Sequence, residues 1–159
     1  MKISMQLVEA VEYPWDLLLL ADPAREVIET YIKVSKVYVL TSLDAAIGVI
    51  VLTPLTEGVI EIKNIAIAPS YQRRGLGRQL LDYAIATCRA EGASEILIGT
   101  GNSSLGQLAL YQKVGFHIVG VDPDFFTRNY PETIVENGVV CRDMIRLSYR
   151  IAARAEPSA

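Results

Sequence analysis

Six residues, Gln72-Arg73-Arg74-Gly75-Leu76-Gly77, follow a strand-like run ending in Ile65-Ala66-Ile67 and precede a run with helical periodicity. That order suits an anion. The first N–H groups of a helix have no intrahelical partner, and the helix dipole places partial positive charge beside them. Gly75 and Gly77 permit dihedrals closed to other residues and let phosphate oxygens approach without a Cβ in the way. Arg73, Arg74 and Arg78 supply charge that a single carboxylate would hardly require. A dinucleotide fingerprint would carry a third glycine where Leu80 stands, and a P-loop would carry Lys and Ser or Thr where Arg78-Gln79 stand. Taken alone, the glycines fit a tight strand-to-helix connection equally well.

The strand before the turn has a slip in its rhythm. Apolar residues fall at Ile60 and Ile62, then at Ile65 and Ile67, so the phase shifts by one near Lys63-Asn64. A β-bulge shifts phase in this way, bends the strand and leaves backbone groups unpaired for a ligand. An edge strand with incidental alternation is the other reading.

The elements that must position these residues can be read from the rest of the chain. Residues 2–8 alternate as a first strand, and Trp15 to about Val34 gives two short helices broken at Pro23. Val37–Leu43, Ala46–Leu52 and Gly58–Ile67 read as strands joined by short turns, which favours antiparallel pairing. Leu80, Leu81, Ala84, Ile85 and Cys88 recur at helical spacing from Gly77 to Glu91, and Gly92 is a good stop. Then follow a buried strand Glu95–Gly99, a helix Ser104–Val114, a strand Phe116–Val121, a long loop Asp122–Val139 and a last strand Val140–Tyr149. The tail Ala152–Ala159 is expected to fray. The fold class is α/β, with a mixed sheet and helices on both faces, and the helix after Ile67 implies that its flanking strands run parallel.

Composition narrows the function. The 159 residues fit one domain, 1–151, and a net charge of -3 gives no broad basic surface of the kind that nucleic-acid binding requires. Cys88 and Cys141 follow no metal-ligand spacing, so no metal is expected, and a reduced cytoplasmic protein is the simplest account. Leu17-Leu18-Leu19-Leu20 is too short to span a membrane.

The segment NIAIAPSYQRRGLGRQLLDYAI resembles the acyl-CoA-binding motif of the GNAT N-acetyltransferases, Gln-x-x-Gly-x-Gly/Ala, and LALYQKVGF resembles the family's second signature. GTGNSS and ENGVVCRDMIRL are similar to a YvbK-like bacterial branch. The resemblance covers nearly the whole chain. It implies a sheet of about seven strands, mostly antiparallel, flanked by four helices and splayed into a V between the fourth and fifth strands. It also implies acetyl-CoA as co-substrate and direct transfer of the acetyl group to an amine. By the same resemblance the N–H groups from Gln72 to Gly77, Leu76 among them, grip the pyrophosphate. Arg73, Arg74 and Arg78 neighbour the phosphates of CoA, and the backbone of Ile65, Ala66 and Ile67 holds the pantetheine arm like an added strand.

Transfer from a thioester to an amine requires a neutral amine, a stabilised oxyanion and a supported thiolate. Tyr111 stands at the family's general-acid position. Glu61 aligns with the glutamate that serves as base in some members, whereas others use water chains. A backbone N–H near Ile67 would meet the oxyanion. The family's asparagine seven residues before the tyrosine is replaced by Ser104, with Asn102 two places earlier. Either could contact pantetheine or a bridging water, or Ser103 and Ser104 could simply cap the helix. The loop with Phe125, Phe126, Arg128 and Tyr130 could form the acceptor pocket or a homodimer contact. Its acids Asp122, Asp124, Glu132 and Glu136 would suit a cationic amine. His117 and Cys141 read as structural residues. A CoA-binding sensor that performs no transfer is the rival function.

Overall fold

The computed structural model describes residues 3–7 and 12–152. Its elements are β1 (Ile3–Leu7), α1 (Trp15–Ala21), α2 (Arg25–Glu29), β2 (Lys36–Ser42), β3 (Ala45–Pro54), β4 (Val59–Ile67), α3 (Leu76–Ala90), β5 (Glu95–Gly101), α4 (Leu105–Val114), β6 (His117–Asp122), α5 (Phe125–Asn129), β7 (Val135–Glu136), β8 (Val139–Val140) and β9 (Met144–Arg150), with 3-10 turns at Ile32–Val34 and Pro69–Tyr71. Seven strands make one sheet in the order β1-β2-β3-β4-β5-β9-β6, and β7 with β8 forms a separate ribbon. Every pairing in the large sheet is antiparallel except β4 with β5, the pair that α3 joins by crossing over.

Hydrophobic spacing explains how the layers stack. Leu76, Leu80, Leu81, Ala84, Ile85 and Cys88 form one buried stripe along α3. That stripe packs on Leu40, Ile50, Leu52, Ile62 and Ile96. On the opposite face Leu17, Leu18, Ile28 and Tyr31 cover Val37, Val39, Val49 and Val51. With both faces covered, β3 is buried without a break from Ile47 to Thr53.

The bulge lies where the phase slip falls. On β3, Val51 faces Asn64 while the next residue, Leu52, faces Ile62, so Lys63 is the extra residue on β4. At the same point the strand loses a neighbour. Pairing of β4 with β5 ends at Ile62 and Ile98, whereas β5 stays paired with β9 as far as Gly101. Beyond that point β4 follows β3 and β5 follows β9, which opens the V.

Two expectations are corrected. The stretch 122–139 is structured, containing α5 and the ribbon, so a fifth helix joins the four that flank the sheet. The last strand begins at Met144 rather than Val140. Asn137 and Gly138, with φ of 55° and 72°, make the tight turn of a two-residue hairpin, which takes Val139 and Val140 into the ribbon. The tail after Ala152 lies outside the described residues.

Candidate active site

The open end of the V leads into three adjoining hollows. One, of about 420 Å³, lies along Ile65, Ala66 and Ile67 of β4 and is closed by Gly77, Leu110 and Tyr111. It shares Ile67, Gln72, Arg73 and Gly77 with a groove of about 280 Å³ over the start of α3. At its other end it shares Leu20, Ala21, Ile65, Gln107 and Tyr111 with a hollow of about 290 Å³ under α5 and the ribbon. The three therefore run in line, with Gly77 at one junction and Tyr111 at the other.

The groove over α3 is built for an anion. Arg73 and Gly75 both have left-handed backbones, with φ of 64° and 76°, and no side chain caps the helix. The first backbone bond into α3 runs from Gln79 N–H to Gly75 C=O, which leaves the preceding N–H groups for a ligand. The Gln72 side chain donates to Ile67 C=O at 2.9 Å and so ties the turn to the end of β4. Arg78 pairs loosely with Asp82 at 3.9 Å, and Arg74 lies 5.4 Å over the Tyr71 ring. Among the described residues no carboxylate pairs with Arg73 or Arg74. An exposed pair of cations beside orphan N–H groups suits phosphate chemistry. Beyond Ile62 the backbone of β4 is paired on the β3 side only, and its free edge faces the central hollow.

Tyr111 comes from α4 and is 4% exposed, with its ring 6.2 Å from that of Phe116. Burial pushes its phenol well above the ordinary tyrosine range, because the charged form loses its solvation. It faces both the central hollow and the one under the ribbon.

The third hollow is mostly polar in its chemistry. Asp22, just after α1, accepts from Tyr130 O–H and from Ala24 N–H, each at 3.0 Å and each on Oδ1. Burial raises the Asp22 carboxyl above its ordinary value, outweighing the two hydrogen bonds that lower it. Ser104 Oγ donates to Glu136 Oε2 at 3.2 Å. Asn64, on the bulge, donates to Leu18 C=O at 3.0 Å and to Tyr31 Oη at 3.3 Å, while its Oδ1 has no partner. The rings of Phe126 and Tyr130 stack 5.8 Å apart along one side.

Two candidates lie elsewhere. Glu61 lines none of the three hollows, and its carboxylate pairs with Lys63 at 2.9 Å. Asn102 spends its amide on the ribbon and the chain just after it: Nδ2 donates to Val140 C=O at 3.0 Å, and Oδ1 accepts from Arg142 and Asp143 N–H at 2.8 and 2.9 Å. Ser104 is the N-cap residue of α4 but makes no side-chain capping bond, since its hydroxyl serves Glu136. Of the four loop acids Glu136 alone lines one of these three hollows; Asp122 is taken by Arg128 at 2.6 Å and Arg146 at 3.7 Å. Asp22, Lys63 and Asn64 also line the third hollow; the sequence had marked Lys63 and Asn64 only for the phase slip, and Asp22 not at all. For Asp22 the available signal was an acid standing just before the helix-breaking Pro23.

The sequence profile described as the acetyltransferase (GNAT) family matches residues 9–116. The chain belongs to that family. The N-acetyltransferase YvbK of Bacillus subtilis is 48% identical over 133 residues, which cover 84% of this chain and 86% of the relative. A GNAT family acetyltransferase from Elizabethkingia anophelis with acetyl-CoA bound superposes with a TM-score of 0.91 at 44% identity, covering 94% of this chain and 98% of its own. A Bacillus subtilis acetyltransferase in complex with CoA gives a TM-score of 0.90 at 44% identity, covering 95% and 100%. The protein is thus an acyltransferase by family. Its GNAT neighbours bind acetyl-CoA and CoA, and the free edge of β4 and the arginine-rich turn fit that co-substrate.

Proposed function

We propose that this GNAT protein moves the acetyl group of acetyl-CoA directly to a primary amine, both substrates being bound together. The observation that carries the reading is Tyr111 at the junction of two hollows, one along the β4 edge and one lined by carboxylates. The turn 72–77, with Arg73, Arg74 and Arg78, holds the pyrophosphate. The edge at Ile65, Ala66 and Ile67 holds the pantetheine arm, with a backbone N–H near Ile67 meeting the carbonyl oxygen. Asp22 takes the proton of the incoming ammonium, directly or through water, a role for which its partial desolvation suits it. Glu61, held by Lys63, is the alternative base through a longer water path. Nitrogen then forms its bond to the acetyl carbon as the carbon–sulfur bond breaks; the Tyr111 hydroxyl hydrogen-bonds the departing sulfur and gives it a proton, and the second proton leaving the nitrogen restores the phenol.

Acetyl-CoA at about a hundred times its Kd should stabilise the fold by about 2.7 kcal/mol, a rise in Tm of roughly 5–10 °C. Adding a panel of amines should then release CoA thiol, read by a thiol-specific dye. A thermal shift with no thiol released from any amine would favour the sensor reading, and the absence of any shift would sink both.

A further inference from the structure

Asp22 receives two hydrogen bonds on one oxygen and, among the described residues, none on the other. Oδ1 accepts from Ala24 N–H in the same turn and from Tyr130 O–H, 108 residues away, each at 3.0 Å. The Ala24 bond is the one an aspartate makes when it turns the chain, here between α1 and α2. The Tyr130 bond does not serve that turn. It comes from the end of α5, over the hollow that both residues line.

The platform that delivers Tyr130 is firmly seated. Its ring stacks 5.8 Å from that of Phe126, and Phe126 packs over Gly101 at the end of β5. Phe126 N–H donates to Arg142 C=O at 3.0 Å, and Asp124 N–H donates to Asp143 Oδ1 at 2.9 Å. A carboxylate held through Ala24 alone keeps a broad freedom of rotation about its Cβ–Cγ bond. A second donor on the same oxygen, from another direction, fixes the plane and leaves Oδ2 to accept from a ligand.

We infer that Tyr130 is a positioning residue of the transfer, its hydroxyl holding Asp22 Oδ1 so that Oδ2 is presented to the incoming ammonium. This rests on the amine-transfer reading above, in which Asp22 takes the proton, and adds the residue that aims it. The ammonium proton passes to Oδ2, and the Tyr130 proton stays on its own oxygen. Burial and the neighbouring Asp22 hold the Tyr130 phenol above the ordinary tyrosine range, so it remains a donor throughout. Burial raises the Asp22 carboxyl, and the Ala24 and Tyr130 hydrogen bonds oppose that rise. The other ionisable groups that act on Asp22 or share its hollow are Glu26, Tyr31, Lys63, Tyr111, Glu136 and Cys141, with Lys63 already paired to Glu61.

The test follows thiol release at saturating acetyl-CoA from butylamine, 1,4-diaminobutane, glycinamide and 4-aminobutyrate, and takes the fastest of the four through a pH series. Wild type, Tyr130→Phe and Asp22→Asn are compared, with the acetyl-CoA thermal shift reporting that each is folded. Tyr130→Phe keeps the ring and its stack and removes only the donor. The ascending limb of kcat/KM in wild type should vanish in Asp22→Asn. In Tyr130→Phe it should move up by about one pH unit, the cost of one hydrogen bond to a carboxylate, and the plateau should fall about tenfold. The titration of the amine itself is common to all three proteins. A limb that Asp22→Asn removes but Tyr130→Phe leaves in place overturns the role of Tyr130 and spares Asp22 as the base. A limb that survives in Asp22→Asn overturns the base assignment and Tyr130 with it, leaving the transferase reading. Bound acetyl-CoA with no thiol released from any of the four amines overturns all three.

Discussion

A phenol that is 4% exposed, with burial as the cause of its shift, keeps its proton far above neutrality. In the proposed transfer Tyr111 therefore stays protonated until the sulfur leaves, giving it a hydrogen bond first and the proton late. Tyr111→Phe should lower kcat by about a hundredfold or more while leaving the acetyl-CoA thermal shift in place. In wild type, kcat should show no descending limb from this group below pH ~10, the ordinary tyrosine value. Asp22 has the opposite relation to stability. Its folded carboxyl has a raised pKa, so the native state binds more protons than the unfolded chain in the window above 3.8, and stability is lost as pH rises through it. Asp22→Asn should raise Tm above that window and change nothing below it, while turnover falls; scans across pH with matched assays check the pair of effects. That Tyr111 and the glycine turn line the hollows was legible because each announces itself through its immediate neighbours. The lining by Asp22 and Asn64 was not, because it depends on α1 folding back onto the bulge, a contact across 46 residues between Leu18 and Asn64.

Among the elements, β4 shows how one residue opens a site. Residues before and after Lys63 keep their faces: Ile62 and Ile65 both pack with the α3 core, and Asn64 and Ala66 both face α1. Deleting Lys63 should therefore preserve the fold yet straighten the strand, allowing β4 and β5 to pair beyond Ile62 and Ile98. The expected outcome is a variant that melts cooperatively but loses the thermal shift with acetyl-CoA. A full shift would show that the bulge does not create the opening. The slip was readable because strand alternation has period two, so a single added residue changes its phase. The ribbon was missed although Asn137-Gly138 carries a hairpin signal, since its strands are only two residues long and show no alternation to read.

For the whole molecule, charge and topology set the terms. The protein carries a net charge of -3, so a polyanionic co-substrate is drawn in by one local cluster against a mildly repelling background. Replacing Arg73 and Arg74 together by Ala should weaken acetyl-CoA about tenfold at low salt and flatten the fall of affinity with ionic strength, as calorimetry across salt concentrations would read. The order of strands and helices was legible because short turns and a crossover helix leave few topologies open. The insertion of β9 between β5 and β6 was not, since it depends on long-range pairing that local pattern does not encode. The side proposed for the co-substrate is written in one continuous stretch, residues 65–78, whereas the opposite wall hangs on the ribbon. That ribbon is clipped to the loop after β5 by Asn102 on Val140 and by Asn137 on the Ser103 carbonyl. A piece held by clips can be exchanged while the sheet stays as it is. Selection could redirect this scaffold to new acceptors by rewriting a few residues of one hairpin, and a designer could graft residues 134–141 from a relative to the same end.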